Sequence, residues 1–393
     1  MDNIIPFNIS YKSKQSIDNI KKSISSNKTS GNNFFTKKCQ DYFEKKYGFK
    51  KCLLTTSCSD ALEMSAILIN IQEGDEVIIP SYNFVSSANA FILRGAKIIF
   101  ADSENDSPNI DIIDIQKKIT DKTKAIVVVH YAGLSCEIKK IKKLAVDNNI
   151  FLVEDAAHAI DSFYILNKRQ IPLGSFGDFA TFSFHETKNI SCGEGGMLVV
   201  NNKDFFERSE IIWEKGTNRS SFRRGEINKY EWIDIGSSFL PSDITAAYLY
   251  SQIQNLDKIQ QKRKYIWERY YNKLEKIKDE FNILIPRVKD YQYINGHIFY
   301  FLCSSKYDRD FVLNYLKIKG INASFHYLSL NKSPYFLNNF KSYDLYNSDK
   351  FSNNLIRLPL YFYLEDNHID FIVLNIVNAL KALYNKESRT FEN

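Results

Sequence analysis

The chain has 393 residues, 44% hydrophobic and 25% charged, proportions that exclude a disordered or fibrous protein. Its net charge of +6, from 52 basic and 46 acidic residues, is small for this length and spread in short runs such as Lys139-Lys140 and Lys142-Lys143, which argues against a nucleic-acid-binding face. A chain this long exceeds one ordinary core, so two domains are expected.

Six cysteines (Cys39, Cys52, Cys58, Cys136, Cys192 and Cys303) form no CxxC pair, and free thiols in a reducing compartment are expected, with no metal site. The opening MDNIIPFNIS lacks a signal pattern, and no apolar run approaches the ~18 residues of a membrane span. A soluble cytoplasmic protein without membrane or nucleic-acid partners is expected.

In chain order, short apolar runs at 52–55, 76–79, 97–101, 125–129, 150–153, 179–184 and 197–200 read as strands. They are rich in Val and Ile and mostly lack polar alternation, as strands buried on both faces do. Helical patterns at 60–71, 86–93, 111–119 and 138–148 lie between them. This alternation predicts a mainly parallel α/β sheet. From 244 to about 278 the sequence reads as one long helix, followed by short strands at 283–285, 297–303 and 323–327 and helices at 309–319 and 369–384. The expected division is a large α/β domain over 1–245 and a linking helix with a small α+β domain over 246–393, whose last residues, 386–393, fray.

Ligands of open α/β sheets sit beyond the carboxyl ends of the strands, so candidate chemistry is expected at those ends. One strand runs into Glu154-Asp155-Ala156-Ala157-His158, and another into His185-Glu186-Thr187-Lys188-Asn189. A glycine-rich segment, Gly193-Glu194-Gly195-Gly196, follows, and the first strand ends at Ser57-Cys58-Ser59 where a helix opens. This set meets the needs of pyridoxal 5′-phosphate (PLP). Its aldehyde needs an amine (Lys188), its pyridine nitrogen a carboxylate (Asp155), and its phosphate a helix start with hydroxyls (Ser57, Ser59 and Ser183). Each piece alone is commonplace, because a lone Lys is usually surface and a lone Asp usually a helix cap. The ordered set carries the signal. No GxGxxG follows the first strand, which counts against a nicotinamide enzyme.

The runs Glu154–His158, Phe182–Asn189 and Gly193–Gly196 resemble the DegT/DnrJ/StrS family of sugar aminotransferases, and the likeness extends from Ile5-Pro6-Phe7 to Arg357-Leu358-Pro359-Leu360. The resemblance implies a PLP-dependent aminotransferase type I fold and a homodimer with shared active sites. It also implies an amino transfer from L-glutamate to a dTDP-linked keto sugar. It assigns Lys188 to the cofactor aldehyde, Asp155 to the pyridine nitrogen, His158 to the ring hydroxyl, and Phe84 to stacking on the ring. Cys58, Ser59 and Ser183 fall at phosphate contacts. Cys58 departs from the Gly usual there, and Ser238 and Leu240 stand where many relatives carry an Asn and an Arg, the Asn reaching the phosphate across the dimer interface. Asn218 or Arg219 is then expected to take an anionic substrate contact, and His326 either touches substrate or hydrogen-bonds at a domain junction. His185 is read as packing rather than acid–base, His130 as structural, and Cys192 as inert. A carbon-3 aminotransferase and a non-catalytic regulatory protein of this fold are the alternatives.

Overall fold

A computed structural model describes residues 4–390. Twelve strands are placed in chain order: β1 Cys52–Thr55, β2 Glu76–Pro80, β3 Lys97–Ala101, β4 Thr123–Val129, β5 Phe151–Asp155, β6 Phe163–Leu166, β7 Arg169–Pro172, β8 Phe179–Ser183, β9 Gly196–Val200, β10 Gln292–Tyr293, β11 Tyr300–Leu302 and β12 Leu355–Arg357. Seven of them form one sheet in the order β1-β9-β8-β5-β4-β2-β3. The pairs from β8 to β3 are parallel, and β9 runs antiparallel to both β8 and β1.

The missing polar alternation has a direct cause. Successive side chains point to opposite faces, and both faces are covered. Val127 and Val153 pack on one face with Leu53, Ile79 and Leu198, while Ile126 and Leu152 pack in another cluster with Ile138 and Ile141 from the helix Ile138–Asp147. Each such buried aliphatic side chain contributes about 1.5–3 kcal/mol. All seven expected sheet strands and the four helices between them are present, with ends shifted by up to three residues.

Register decides what lies at the carboxyl edge. Thr55 and Ser183 both pair with Gly196, so the ends of β1 and β8 flank the start of β9. Asp155 pairs with Thr181, two residues before Ser183. Three segments distant in sequence thus meet at one edge.

The C-terminal part differs from expectation in detail. The single long helix is two, Asp243–Ile253 and Leu256–Leu274. At the break the Asn255 amide donates to the Ser251 carbonyl, to Ser13 Oγ and to Gln15 Oε1, tying the N-terminal segment to this corner. Only Tyr300–Leu302 of the expected strand 297–303 is paired, because Gly296 turns at φ +63° and the His297 N–H is taken by Asn295 Oδ1. The strands expected at 283–285 and 323–327 reduce to single bridges, Leu284 with Leu302 and Ser324 with Arg357. Ile266, Phe299, Phe301, Val312, Ile356 and Ile372 form the core there, and Ile5 joins it. The β6–β7 hairpin was not foreseen; its turn residues Asn167 and Lys168 both have positive φ, as a type I′ turn requires. The last helix, Asp366–Thr390, runs through most of the expected frayed tail, and 391–393 lie outside the described residues.

Candidate active site

A chamber of about 650 Å³ opens at the carboxyl edge of the sheet. Ser57, Cys58 and Ser59 stand on one side of it, and Asp155, His158, Ser183 and Lys188 also line it, with Phe84, His326 and Tyr327 closing the set. Every residue expected to hold PLP therefore faces one cavity, together with one of the three expected to touch substrate.

Ser57 caps the helix Cys58–Leu68 by accepting the Asp60 N–H, which leaves the early helical N–H groups facing outward. Ser59 Oγ and Ser86 Oγ hydrogen-bond at 2.6 Å, and Ser183 Oγ accepts the His185 N–H at 3.4 Å, so hydroxyls gather near this helix start. Gly196 permits the arrangement. A Cβ there would lie 2.3 Å from the Ser57 carbonyl carbon and 2.4 Å from the Cys58 nitrogen. Cys58 brings no charge, since burial raises its thiol pKa.

Asp155 is 5% exposed, accepts the Ser87 hydroxyl on Oδ2 and the Ala157 N–H on Oδ1, and has no ion-pair partner among the described residues. Burial raises its pKa. Lys188 projects Nζ into the chamber without a hydrogen-bond partner among the described residues. Burial lowers its pKa to about 8, with the Arg357 charge acting the same way and Cys58 and Asp155 opposing.

His158 accepts the Ala132 N–H on Nδ1, so Nε2 carries the proton toward Tyr327 Oη, 3.2 Å away. Its pKa lies well below the usual histidine value because it is buried near Lys188 and Arg357. The Tyr327 O–H is then free to donate into the chamber. His326 Nδ1 contacts Tyr131 Oη at 2.8 Å. Ser87, Asn83 and Tyr327 carry chemistry that strand-end reading did not assign, because they come from other loops and from the far half of the chain.

The chamber fits PLP on three observations. Asp155 is a buried carboxylate with no cation at ion-pair distance among the described residues, a place a protonated pyridine nitrogen would fit. The Asn83 side-chain N–H is buried without a partner among the described residues. Phe84 is 54% exposed and offers an open aromatic face at the chamber.

Residues 10–377 match the DegT/DnrJ/EryC1/StrS aminotransferase family. The chain belongs to this family. It is accordingly a PLP-dependent sugar aminotransferase with the fold of that group. The chain is 30% identical over 353 residues to the spore coat polysaccharide biosynthesis protein SpsC of Bacillus subtilis, covering 86% of this chain and 89% of the relative. It is 38% identical over 198 residues, half of each chain, to the GDP-perosamine synthase of Escherichia coli O157:H7. The solved aminotransferase TlmJ of Streptoalloteichus hindustanus superposes with a TM-score of 0.88 at 23% identity, covering 97% of this chain and all of that one.

The other expected residues of this aminotransferase fall as follows. Asn218 and Arg219 do not line the chamber. Asn218 Oδ1 accepts the Glu231 N–H, and the Arg219 guanidinium lies 5.6 Å from the Tyr230 ring. His185 lines the chamber rim, with Nδ1 3.0 Å from Thr187 Oγ1. His130 is fully buried, with Nε2 2.9 Å from Glu154, whose carboxylate also accepts the N–H groups of Gly174, Phe176 and Gly177. Burial pushes the Cys192 thiol up to about 12. All six cysteines are free. Among the described residues no helix is long and apolar enough to cross a membrane.

Proposed function

We propose that the chain transfers an amino group from L-glutamate to carbon 4 of dTDP-4-dehydro-6-deoxy-D-glucose. The products are 2-oxoglutarate and dTDP-4-amino-4,6-dideoxy-D-galactose, or its gluco epimer, for a bacterial surface polysaccharide such as O-antigen or enterobacterial common antigen. The observation that carries the chemistry is Lys188: an unpartnered amine with a pKa near 8, in one chamber with a buried, uncompensated Asp155. The sugar reading is supported by segments that resemble the dTDP-4-amino-4,6-dideoxygalactose transaminase: Pro80-Ser81-Tyr82-Asn83-Phe84, Lys215-Gly216-Thr217-Asn218-Arg219, Asp234-Ile235-Gly236-Ser237-Ser238-Phe239 and Phe325-His326-Tyr327. A relative named for a GDP-linked amino sugar supports a nucleotide-sugar substrate and makes GDP the alternative carrier.

Lys188, Asp155, His158, Phe84, Ser183, Ser59 and Cys58 would hold the cofactor. Bound PLP supplies an aldehyde for the amine and a ring that takes up carbanion charge. Asp155 keeps a proton on the ring nitrogen. His158 donates its Nε2 proton to Tyr327 and stays neutral, so it adds no competing charge. Lys188 Nζ takes the proton from the donor α-carbon and, in the second half of the cycle, returns one to the sugar carbon. Its lowered pKa leaves about a tenth of the amine neutral at pH 7, far more than an ordinary lysine would have.

We further propose a homodimer. Trp232 is 81% exposed, and Ile233, Tyr230, Ile235 and Phe222 are each more than 40% exposed, an apolar segment that a partner would cover. It carries Asn218 and Arg219, which would then serve the partner's chamber. In the test of the function, purified protein given PLP develops a visible absorption band that borohydride bleaches. Lys188→Ala lacks the band and loses at least about 10³-fold in turnover. Incubation with glutamate and the dTDP or GDP keto sugar, followed by NMR of the product, fixes carbon, configuration and carrier. Failure of the wild type to develop the band would sink the reading.

A further inference from the structure

Lys188 Nζ has no hydrogen-bond partner of its own among the described residues, so its aim depends on the backbone beneath it. On the N-terminal side that backbone is held by its own loop and by the start of the chain. The Lys188 N–H donates to the His185 carbonyl, and Asn8 Nδ2 and Ser10 Oγ donate to the Glu186 carbonyl. On the C-terminal side the hold comes from Asn189, which is 4% exposed. Its Nδ2 donates to Gln260 Oε1 at 2.8 Å and to the Asn295 carbonyl at 3.1 Å, and its Oδ1 lies 2.7 Å from His297 Nδ1. All three partners belong to the C-terminal part: Gln260 to the helix Leu256–Leu274, Asn295 and His297 to the turn at Gly296. The direction of each bond is determined. Gln260 Nε2 donates to the Ile160 carbonyl, which leaves Oε1 to accept, and a backbone carbonyl only accepts. Asn189 therefore turns its NH₂ to these two and its Oδ1 to His297, whose Nδ1 carries the proton. His297 is neutral, because burial holds its pKa well below the usual histidine value and His158 and Lys188 act the same way. Its turn is fixed in addition by the His297 N–H on Asn295 Oδ1 and by Asn295 Nδ2 on the carbonyls of His158 and Ile160.

We propose that Asn189 is a positioning residue for Lys188, and that through the His297–Asn189 bond the C-terminal part of the chain sets where Nζ stands. The proposal rests on the reading of Lys188 given above. Nζ has to meet the cofactor aldehyde and later the carbon that it deprotonates, and a displacement of about 1 Å costs such a group about 100-fold in rate. The His297 N–H is the decisive bond, since it is the one partner of Asn189 Oδ1 among the described residues. Without it a buried acceptor is left unpaired, and the amide beside Lys188 is driven to turn. The His297 ring also packs on His158, with centroids 4.6 Å apart, so the N–H and the ring contact are separated by the choice of variants.

The test follows by stopped flow the growth of the visible band when PLP is mixed with the full-length apoprotein at fixed pH. The limiting rate at saturating PLP reads the placement of Nζ, and the half-saturating concentration reads cofactor affinity. His297→Phe keeps a ring and loses the N–H. Its limiting rate is expected to fall about 10- to 100-fold, with half-saturation within about threefold of wild type, because the phosphate contacts are untouched. His297→Asn loses the ring and keeps an N–H donor at the Nδ1 position, and its limiting rate is expected to stay within about threefold of wild type. A residue that only stabilises the fold would leave the limiting rate of both folded variants alone. A His297→Phe rate within threefold of wild type overturns the proposal, as does a change confined to half-saturation. A His297→Asn as slow as His297→Phe also overturns it, since the ring contact would then be what matters. Should His297→Phe not fold, Gln260→Met removes the other side-chain partner of Asn189 and is expected to lower the limiting rate about threefold or more; an unchanged rate overturns the proposal. A wild type that develops no band would sink the reading of Lys188 and this proposal together, whereas a wild-type band with unaltered variants overturns this proposal alone.

Discussion

At the scale of single residues, the site depends on charges withdrawn from water and left for a ligand to complete. Lys188 shows the logic. Its ammonium form is disfavoured by burial and by Arg357, so its pKa falls to about 8 from an ordinary value of 10.5. Only the neutral amine attacks an aldehyde. Uptake of PLP by the apoprotein is therefore expected to accelerate about tenfold per pH unit below about 8 and to level off above it, read by stopped-flow absorbance. The sign follows from the direction of the shift: an unperturbed lysine would show the plateau more than two units higher. Asp155 has the complementary arrangement, since burial favours its protonated form until a cation arrives. Glu154, one residue earlier, is saturated instead. Its carboxylate accepts three backbone N–H groups and faces His130, so it organises the loop 174–177 rather than the chemistry. Glu154→Gln would point an amide N–H at existing donors. A loss of about 3–5 kcal/mol is expected in urea denaturation of the apoprotein.

At the scale of elements, the chamber is made by register. Thr55, Gly196 and Ser183 stand in one row because β9 runs antiparallel between β1 and β8. The sequence signal Gly193–Gly196 was legible as a glycine cluster, but which glycine matters was not. Gly193 has open space where a Cβ would go and needs glycine only for its φ of +85°, whereas Gly196 meets the Ser57–Cys58 backbone. Gly196→Ala is expected to destabilise the apoprotein by about 1–3 kcal/mol, as overpacking does, and to weaken PLP retention at least about tenfold in equilibrium dialysis. Gly193→Ala should leave the Ser57–Cys58 backbone in place and show no comparable loss of PLP retention. The helix break at Asn255 teaches a related lesson. Local composition favoured one continuous helix, and the competing bonds of the Asn255 amide to Ser13 and Gln15 come from segments some 240 residues away.

For the whole molecule, the two parts of the chain contribute unequal shares. Lys188 and Asp155 come from the sheet edge, whereas His326, Tyr327 and Arg357 come from beyond the long helices. In the proposed homodimer a second copy covers the exposed apolar segment around Trp232. Sedimentation is expected to give about twice the 45.7 kDa chain mass, and Trp232→Asp to shift the population toward monomer with a parallel fall in turnover of about tenfold or more. A wild type that is monomeric and fully active would refute the shared site.

The sequence by itself determined the parallel sheet and the pair Lys188 and Asp155. Strands buried on both faces must be continuous apolar runs, and in such a sheet the carboxyl ends are the place where reactive groups collect. Tertiary structure alone decided the partners of that pair. Ser87, Asn83, Tyr327, His297 and Arg357 reach the site through long-range packing and strand register, and no local pattern marks a serine that bonds a carboxylate 68 residues away or a histidine that bonds an asparagine 108 residues before it. It also placed Asn218 and Arg219 outside their own chamber, in a segment tied to the body by Arg223 on the Asn32 carbonyl and by Asp234 on Arg208.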